Sequence, residues 1–171
     1  MGMTAVVQTG LARVGDLRIA YESVGTGDPA LLFIHGVFQD RSYFAGQQTH
    51  FSGRRHVVTL DLRGHGESSA TTEVTMEDFA ADVIAVADDA GLESAILCGH
   101  SMSGAVALKV ASARPELVRG VARSTPQSSS PSRCGRQGSR TSFQRSQPSA
   151  GWMRCAATSA TEFSIPRIRR S

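Results

Sequence analysis

A serine whose neighbours would suit an acyl-transfer nucleophile stands at position 101, within Gly99-His100-Ser101-Met102-Ser103-Gly104. A hydroxyl attacks a carbonyl well only when it is held clear of its own backbone, its proton has an acceptor, and fixed donors meet the charge building on the attacked oxygen. The local sequence speaks to the first and third of these needs. Ala95 to Cys98 is a short apolar run of strand length, Gly99 and Gly104 bracket a tight turn, and Ala105 to Ala113 reads as a helix. That order is the layout of a nucleophile elbow, a strained strand-to-helix turn with the serine at its apex. Small residues are needed on both sides of the serine because strand and helix nearly touch there. The following helix aims its first N–H groups at whatever the serine attacks. Ser103 occupies the place of the second glycine of G-x-S-x-G and is small enough to pass. A glycine-rich corner with a merely solvated serine would look similar, and that reading stays open. A phosphate-binding loop is excluded, because Ala105-Val106 follows where Lys-Ser/Thr is required.

The elements that would position this turn can be read on either side of it. Leu11–Val14 and Leu17–Val24 flank Gly15-Asp16 as a hairpin. Ala30–Ile34 is a continuous apolar run, as expected of a parallel strand covered on both faces. It leads directly into His35-Gly36-Val37-Phe38. Arg41 to Phe51 is a weakly patterned helix. His56–Leu60 is a further buried strand, opening into Asp61-Leu-Arg-Gly-His-Gly-Glu-Ser68. Thr75 to Ala90 is a helix with Thr75 as cap and Asp78 in a near capping box. Its apolar face is Met76, Phe79, Ala80, Val83, Ile84 and Ala87. Pro115 stops the elbow helix near Arg114, and Leu117–Ala122 begins another apolar run. From Ala30 onward strands and helices alternate, which builds an α/β fold: a mostly parallel sheet with helices on both faces, preceded by the N-terminal hairpin.

With 171 residues the chain has length enough for a domain with a core. The net charge of +3 averages two unlike parts. Residues 1–121 carry fourteen acidic and nine basic side chains, whereas 122–171 carry one acid, Glu162, and nine arginines. From Arg123 on, serine, arginine, glutamine and proline dominate without a periodic apolar face, the composition of a disordered segment. The expected organisation is a folded part over 1–122 and a Ser/Arg-rich tail over 123–171. A basic arm for nucleic acid is the other reading of the tail, but its arginines are dispersed, so no nucleic-acid partner is expected. Cys98, Cys134 and Cys155 form no disulfide framework, and Cys98 reads as an inert core thiol. No Cys or His spacing suits a metal, and no cofactor is expected. No apolar run approaches the ~20 residues of a membrane span, and no secretory leader is evident. The expected location is the cytoplasm, with no membrane partner. Oligomeric state is not legible.

Four motifs in order then carry a resemblance: His35-Gly36, Asp61-Leu-Arg-Gly-His-Gly-Glu-Ser68, Gly99-His-Ser-Met-Ser-Gly104, and Arg114-Pro115-Glu116. Together, over about Leu11 to Ala122, they resemble the α/β-hydrolase superfamily, in the flavour of its small esterases, enol-lactonases and cofactor-free haloperoxidase-like members. The resemblance implies Ser101 as nucleophile, the backbone N–H of Met102 as one oxyanion donor, and that of Val37, or else Phe38, as the other. It implies a small-molecule ester or lactone substrate. His35, His100, Asp61, Arg63, Gly64 and Gly66 match structural positions. Serine at 101 argues against the dehalogenase and soluble epoxide hydrolase branches, which use aspartate.

The departure lies downstream. The family supplies an acid and then a histidine after the serine, and residues 102–171 contain no histidine and no aspartate. The later acids are Glu116 and Glu162. The expectation is therefore the front part of a serine hydrolase whose triad is incomplete and whose activity is impaired. Residues 123–171 would then be out-of-frame sequence. The alternative is a non-catalytic truncated hydrolase-like protein or pseudogene product.

Overall fold

The computed structural model describes residues 6–124. The Ser/Arg-rich tail beyond Ser124, with Cys134, Cys155, Glu162 and the proposed arginine arm, lies outside the described residues. Six strands form one sheet in the order β1-β2-β4-β3-β5-β6. They are β1 (Gln8–Val14), β2 (Leu17–Val24), β3 (Ala30–Ile34), β4 (Val57–Leu60), β5 (Ala95–His100) and β6 (Val118–Ser124). The hairpin β1-β2 turns with Val14 opposite Leu17, and Gly15 takes φ 58°, the sign that so short a loop demands. β2 runs antiparallel to β4, while β3, β4, β5 and β6 are mutually parallel where they pair. The mostly parallel sheet with its leading hairpin is the one read from the sequence.

The apolar runs of β3, β4 and β5 are covered on both faces, which is why they lack alternation. On one face Leu32, Ile34, Val58, Leu60 and Leu97 meet α2 (Met76–Asp89) and α3 (Ser103–Ala113) through Phe79, Val83, Val86, Val106 and Val110. On the other face Phe33, Val57 and Cys98 gather around Phe44, with the Phe33 and Phe44 rings 4.9 Å apart. Cys98 is the buried thiol its strand implies, and desolvation pushes its pKa up to about 12.

The helix ends follow from their caps. Thr75 accepts from the Asp78 N–H at 3.2 Å and Asp78 accepts from the Thr75 N–H at 2.9 Å, a full capping box. Such a cap stabilises a helix by about 1 kcal/mol. Several boundaries differ from the sequence reading: β1 starts at Gln8, β5 runs to His100, and β6 continues through Ser124, past the break expected at Arg123. Residues 41–51 are not one helix but a 3₁₀ turn, Arg41–Phe44, followed by α1 (Ala45–Phe51). The Arg41 N–H is drawn to Asp61 Oδ1 at 2.7 Å, which fastens that first turn to the β4 loop. The elbow helix begins at Ser103, two residues early.

Candidate active site

The elbow is built by close approach. β5 ends at His100, and Ser101 then adopts φ 55°, a left-handed conformation that a serine rarely takes. Its N–H donates to the Ser124 carbonyl at 2.8 Å, so β6 holds the backbone of the bend. Its carbonyl accepts from Gly104 at 3.1 Å, closing the first turn of α3. A Cβ on Gly99 would stand 2.4 Å from the Ser103 oxygen, so only glycine lets strand and helix come this near. Ser101 itself is exposed. Among the described residues no group hydrogen-bonds its hydroxyl, and the Met102 N–H likewise donates to none.

The loop after β3 is the second component. His35 is buried, and Leu62 N–H donates to its Nε2 at 3.1 Å. That bond assigns the proton to Nδ1, which donates to the Gly36 carbonyl at 2.8 Å. Burial holds the imidazole below its ordinary pKa, the Gly36 bond opposing, so the neutral ring is the resident form. Gln39 reinforces the loop. Its side-chain oxygen accepts the Gly36 N–H at 2.8 Å and its backbone N–H reaches the Gly36 carbonyl at 3.3 Å. Val37 and Phe38 are exposed, Phe38 at 98 % and with φ 61°. Neither of their N–H groups has a hydrogen-bond acceptor among the described residues.

The loop after β4 is an ionic frame. Buried Asp61 accepts from the Arg41 and Glu67 N–H groups at 2.7 and 2.9 Å and pairs with the Arg41 guanidinium. Arg41 also pairs with Glu22 at 3.1 Å and Glu67 at 2.6 Å. Gly66 is needed here, since a Cβ would strike the Asp61 carboxylate. Arg63 is gripped by Asp82 of α2 through Nε at 3.0 Å and Nη2 at 2.7 Å, and by Asp78 at 2.8 Å. These residues brace the loops; among the described residues none hydrogen-bonds to Ser101.

The alpha/beta hydrolase fold profile matches residues 29–141. The chain belongs to the α/β-hydrolase-fold family. It is 36 % identical over 93 residues to the sn-1-specific diacylglycerol lipase ABHD11 of Mus musculus, covering 53 % of this chain and 30 % of that one. Among solved structures it resembles a thermophilic esterase from Thermogutta terrifontis at 31 % identity and TM-score 0.61, covering 68 % of this chain and 44 % of that one. It also resembles Est816, an N-acyl homoserine lactone degrading enzyme, at 28 % identity and TM-score 0.65, covering 68 % and 45 %. Other matches include an acetyltransferase component of an acetoin cleaving system, an epoxide hydrolase and a haloalkane dehalogenase. The chain spans 28–39 % of the length of the curated relatives it matches.

Within this α/β-hydrolase chain all five histidines lie among the described residues, and each is engaged away from the Ser101 hydroxyl. His35 spans two loops, as above. His56 Nε2 meets Ser23 Oγ at 2.7 Å, His65 Nδ1 meets the Arg63 carbonyl at 3.1 Å, and His100 Nδ1 meets Ser124 Oγ at 2.8 Å. His50 packs edge-on against Phe51. Glu116 pairs with Arg114 beyond the far end of α3. Among the described residues no group of three or more His, Cys, Asp or Glu could hold a metal ion, and no helix is long and apolar enough to cross a membrane. A cleft of about 290 Å³ lined by Asp28, His56 and Ser94 opens at the other end of the strands, away from Ser101. Gln39, Ser124 and the hydrogen bond of Ser103 escaped the sequence reading. For Ser103 the one signal was a serine in place of the second glycine; Gln39 and Ser124 had none.

Proposed function

We propose that this α/β-hydrolase chain carries the nucleophilic part of an acyl-transfer site for small-molecule carboxylic esters or lactones. In this reading Ser101 Oγ attacks the carbonyl carbon, and the N–H groups of Met102 and Val37 receive the oxyanion. What supports it is the left-handed Ser101 at the β5–α3 junction, exposed and with no hydrogen bond to its hydroxyl among the described residues. The named esterase, lipase and lactone-degrading relatives fit the same substrate class. Two oxyanion donors are worth about 3 kcal/mol each to the tetrahedral intermediate.

Residues 102–171 offer neither histidine nor aspartate to take the Ser101 proton, which leaves water as its acceptor within this stretch. A site with its donors but without its base retains an acceleration on the order of 10³–10⁴ over water. We therefore read the activity as impaired; the hydrolase part, expected over 1–122, runs on through β6 to Ser124. The engagement of all five histidines elsewhere favours a second reading, a hydrolase-like protein without catalysis. Hydrolysis of p-nitrophenyl acetate by wild type and Ser101→Ala separates the two. A slow rate lost in the variant supports the first, and equal rates remove Ser101 from any mechanism.

A further inference from the structure

Ser103 is fully buried at the first position of α3, and its Oγ donates to the carbonyl of His35. It is the residue after Met102 along the chain. Its acceptor belongs to the loop that presents Val37. One hydroxyl thus joins the two segments that carry the proposed amide donors.

The next peptide units transmit that grip. The His35–Gly36 unit has its carbonyl held by Ser103 and its N–H held by Gln39 Oε1 at 2.8 Å. The Gly36–Val37 unit has its carbonyl held by His35 Nδ1 at 2.8 Å and by the Gln39 N–H at 3.3 Å. In a trans peptide the N–H points opposite to the carbonyl. Fixing the Gly36 oxygen on the His35 side therefore aims the Val37 N–H the other way, into the space left without an acceptor. A Cβ at Gly36 would press on Gln39 Oε1 at 3.0 Å and His100 Cδ2 at 3.1 Å, so the loop has little slack.

We infer that Ser103 is a positioning residue that sets the Val37 N–H relative to the Met102 N–H, a task the glycine usual at this place cannot perform. The inference rests on the acyl-transfer reading of Ser101. Its test uses the full chain, ¹⁵N-labelled, as wild type, Ser103→Ala, Ser103→Gly, Ser103→Cys and Ser101→Ala. The amide shift and exchange of Val37 are read alongside p-nitrophenyl acetate kinetics resolved into kcat and KM. Cysteine keeps the shape of serine but donates weakly. If the hydrogen bond positions the loop, Cys behaves as Ala. Both then move the Val37 amide and lower kcat on the order of tenfold with KM little changed, less than the 10²–10³ of losing a donor outright. Gly joins them despite restoring G-x-S-x-G. A Val37 amide that stays put in Ser103→Ala, or a Cys variant indistinguishable from wild type, overturns the inference. Equal hydrolysis by wild type and Ser101→Ala would sink the acyl-transfer reading instead, and the amide spectra would still decide whether Ser103 holds the Val37 peptide.

Discussion

Adding one methyl group to Gly99 should be among the most damaging small changes this fold can suffer. The new Cβ would lie 2.4 Å from the Ser103 oxygen, 2.6 Å from the Ser103 carbonyl carbon and 2.8 Å from the Gly104 nitrogen. All three are backbone atoms, so no side-chain rotation relieves them. Restoring ordinary contact, which begins at 3.4 Å, requires the first turn of α3 to retreat from β5 by close to 1 Å. That turn carries Val106 and Ala107 into the main core and ties Ser103 to the β3 loop, so the retreat opens packing elsewhere. Overpacking a rigid core costs about 1–3 kcal/mol, and the backbone nature of this clash sets the expectation at about 3 kcal/mol. Urea unfolding followed by circular dichroism gives the difference, with the m-value checking that the unfolded state is unchanged. Gly46→Ala is the control. It lies in α1 with nothing near its Cβ, and alanine there should stabilise by about 0.5–1 kcal/mol. A Gly99→Ala loss below about 1 kcal/mol at constant m would refute the claim that strand and helix are in contact through that glycine.

Two further outcomes follow from the frame around the site. Asp82→Ala strips the fork from a nearly buried Arg63 and leaves it only Asp78, which should cost about 3–5 kcal/mol in the same urea assay; replacing both partners by apolar residues should recover much of that. His35, His56 and His100 are each held below the ordinary imidazole pKa by burial. The unfolded chain therefore takes up protons first, and stability should fall as pH drops below about 6.5, continuing down to the lowered folded values. Melting temperatures from pH 8 to pH 5 read this; a flat profile would mean the rings are not held neutral.

Periodicity and punctuation located the fold because each decisive signal was local. Gly15-Asp16 turns the hairpin, Thr75 with Asp78 starts α2, and the unbroken apolar runs at 30–34 and 95–98 could only be interior strands. The elbow was legible for the same reason, since the glycines around Ser101 report a steric demand within a few residues. What escaped was bonding between residues distant in sequence. Nothing near Arg41 announces that it will bind Glu22, Asp61 and Glu67 and so shorten a helix to a 3₁₀ turn. Nothing near Asp82 names Arg63, nineteen positions earlier. Ser103 looked like a tolerated substitute for glycine because its partner, the His35 carbonyl, lies 68 positions away.

At the bend of Ser101, folding and the proposed chemistry ask for different amino acids. A non-glycine residue in this left-handed region costs about 1–3 kcal/mol, and the neighbouring strand and helix must impose it. Glycine would sit there without protest and present no oxygen at all. The backbone alone therefore does not account for the side chain at the apex, whereas the proposed attack by its oxygen would.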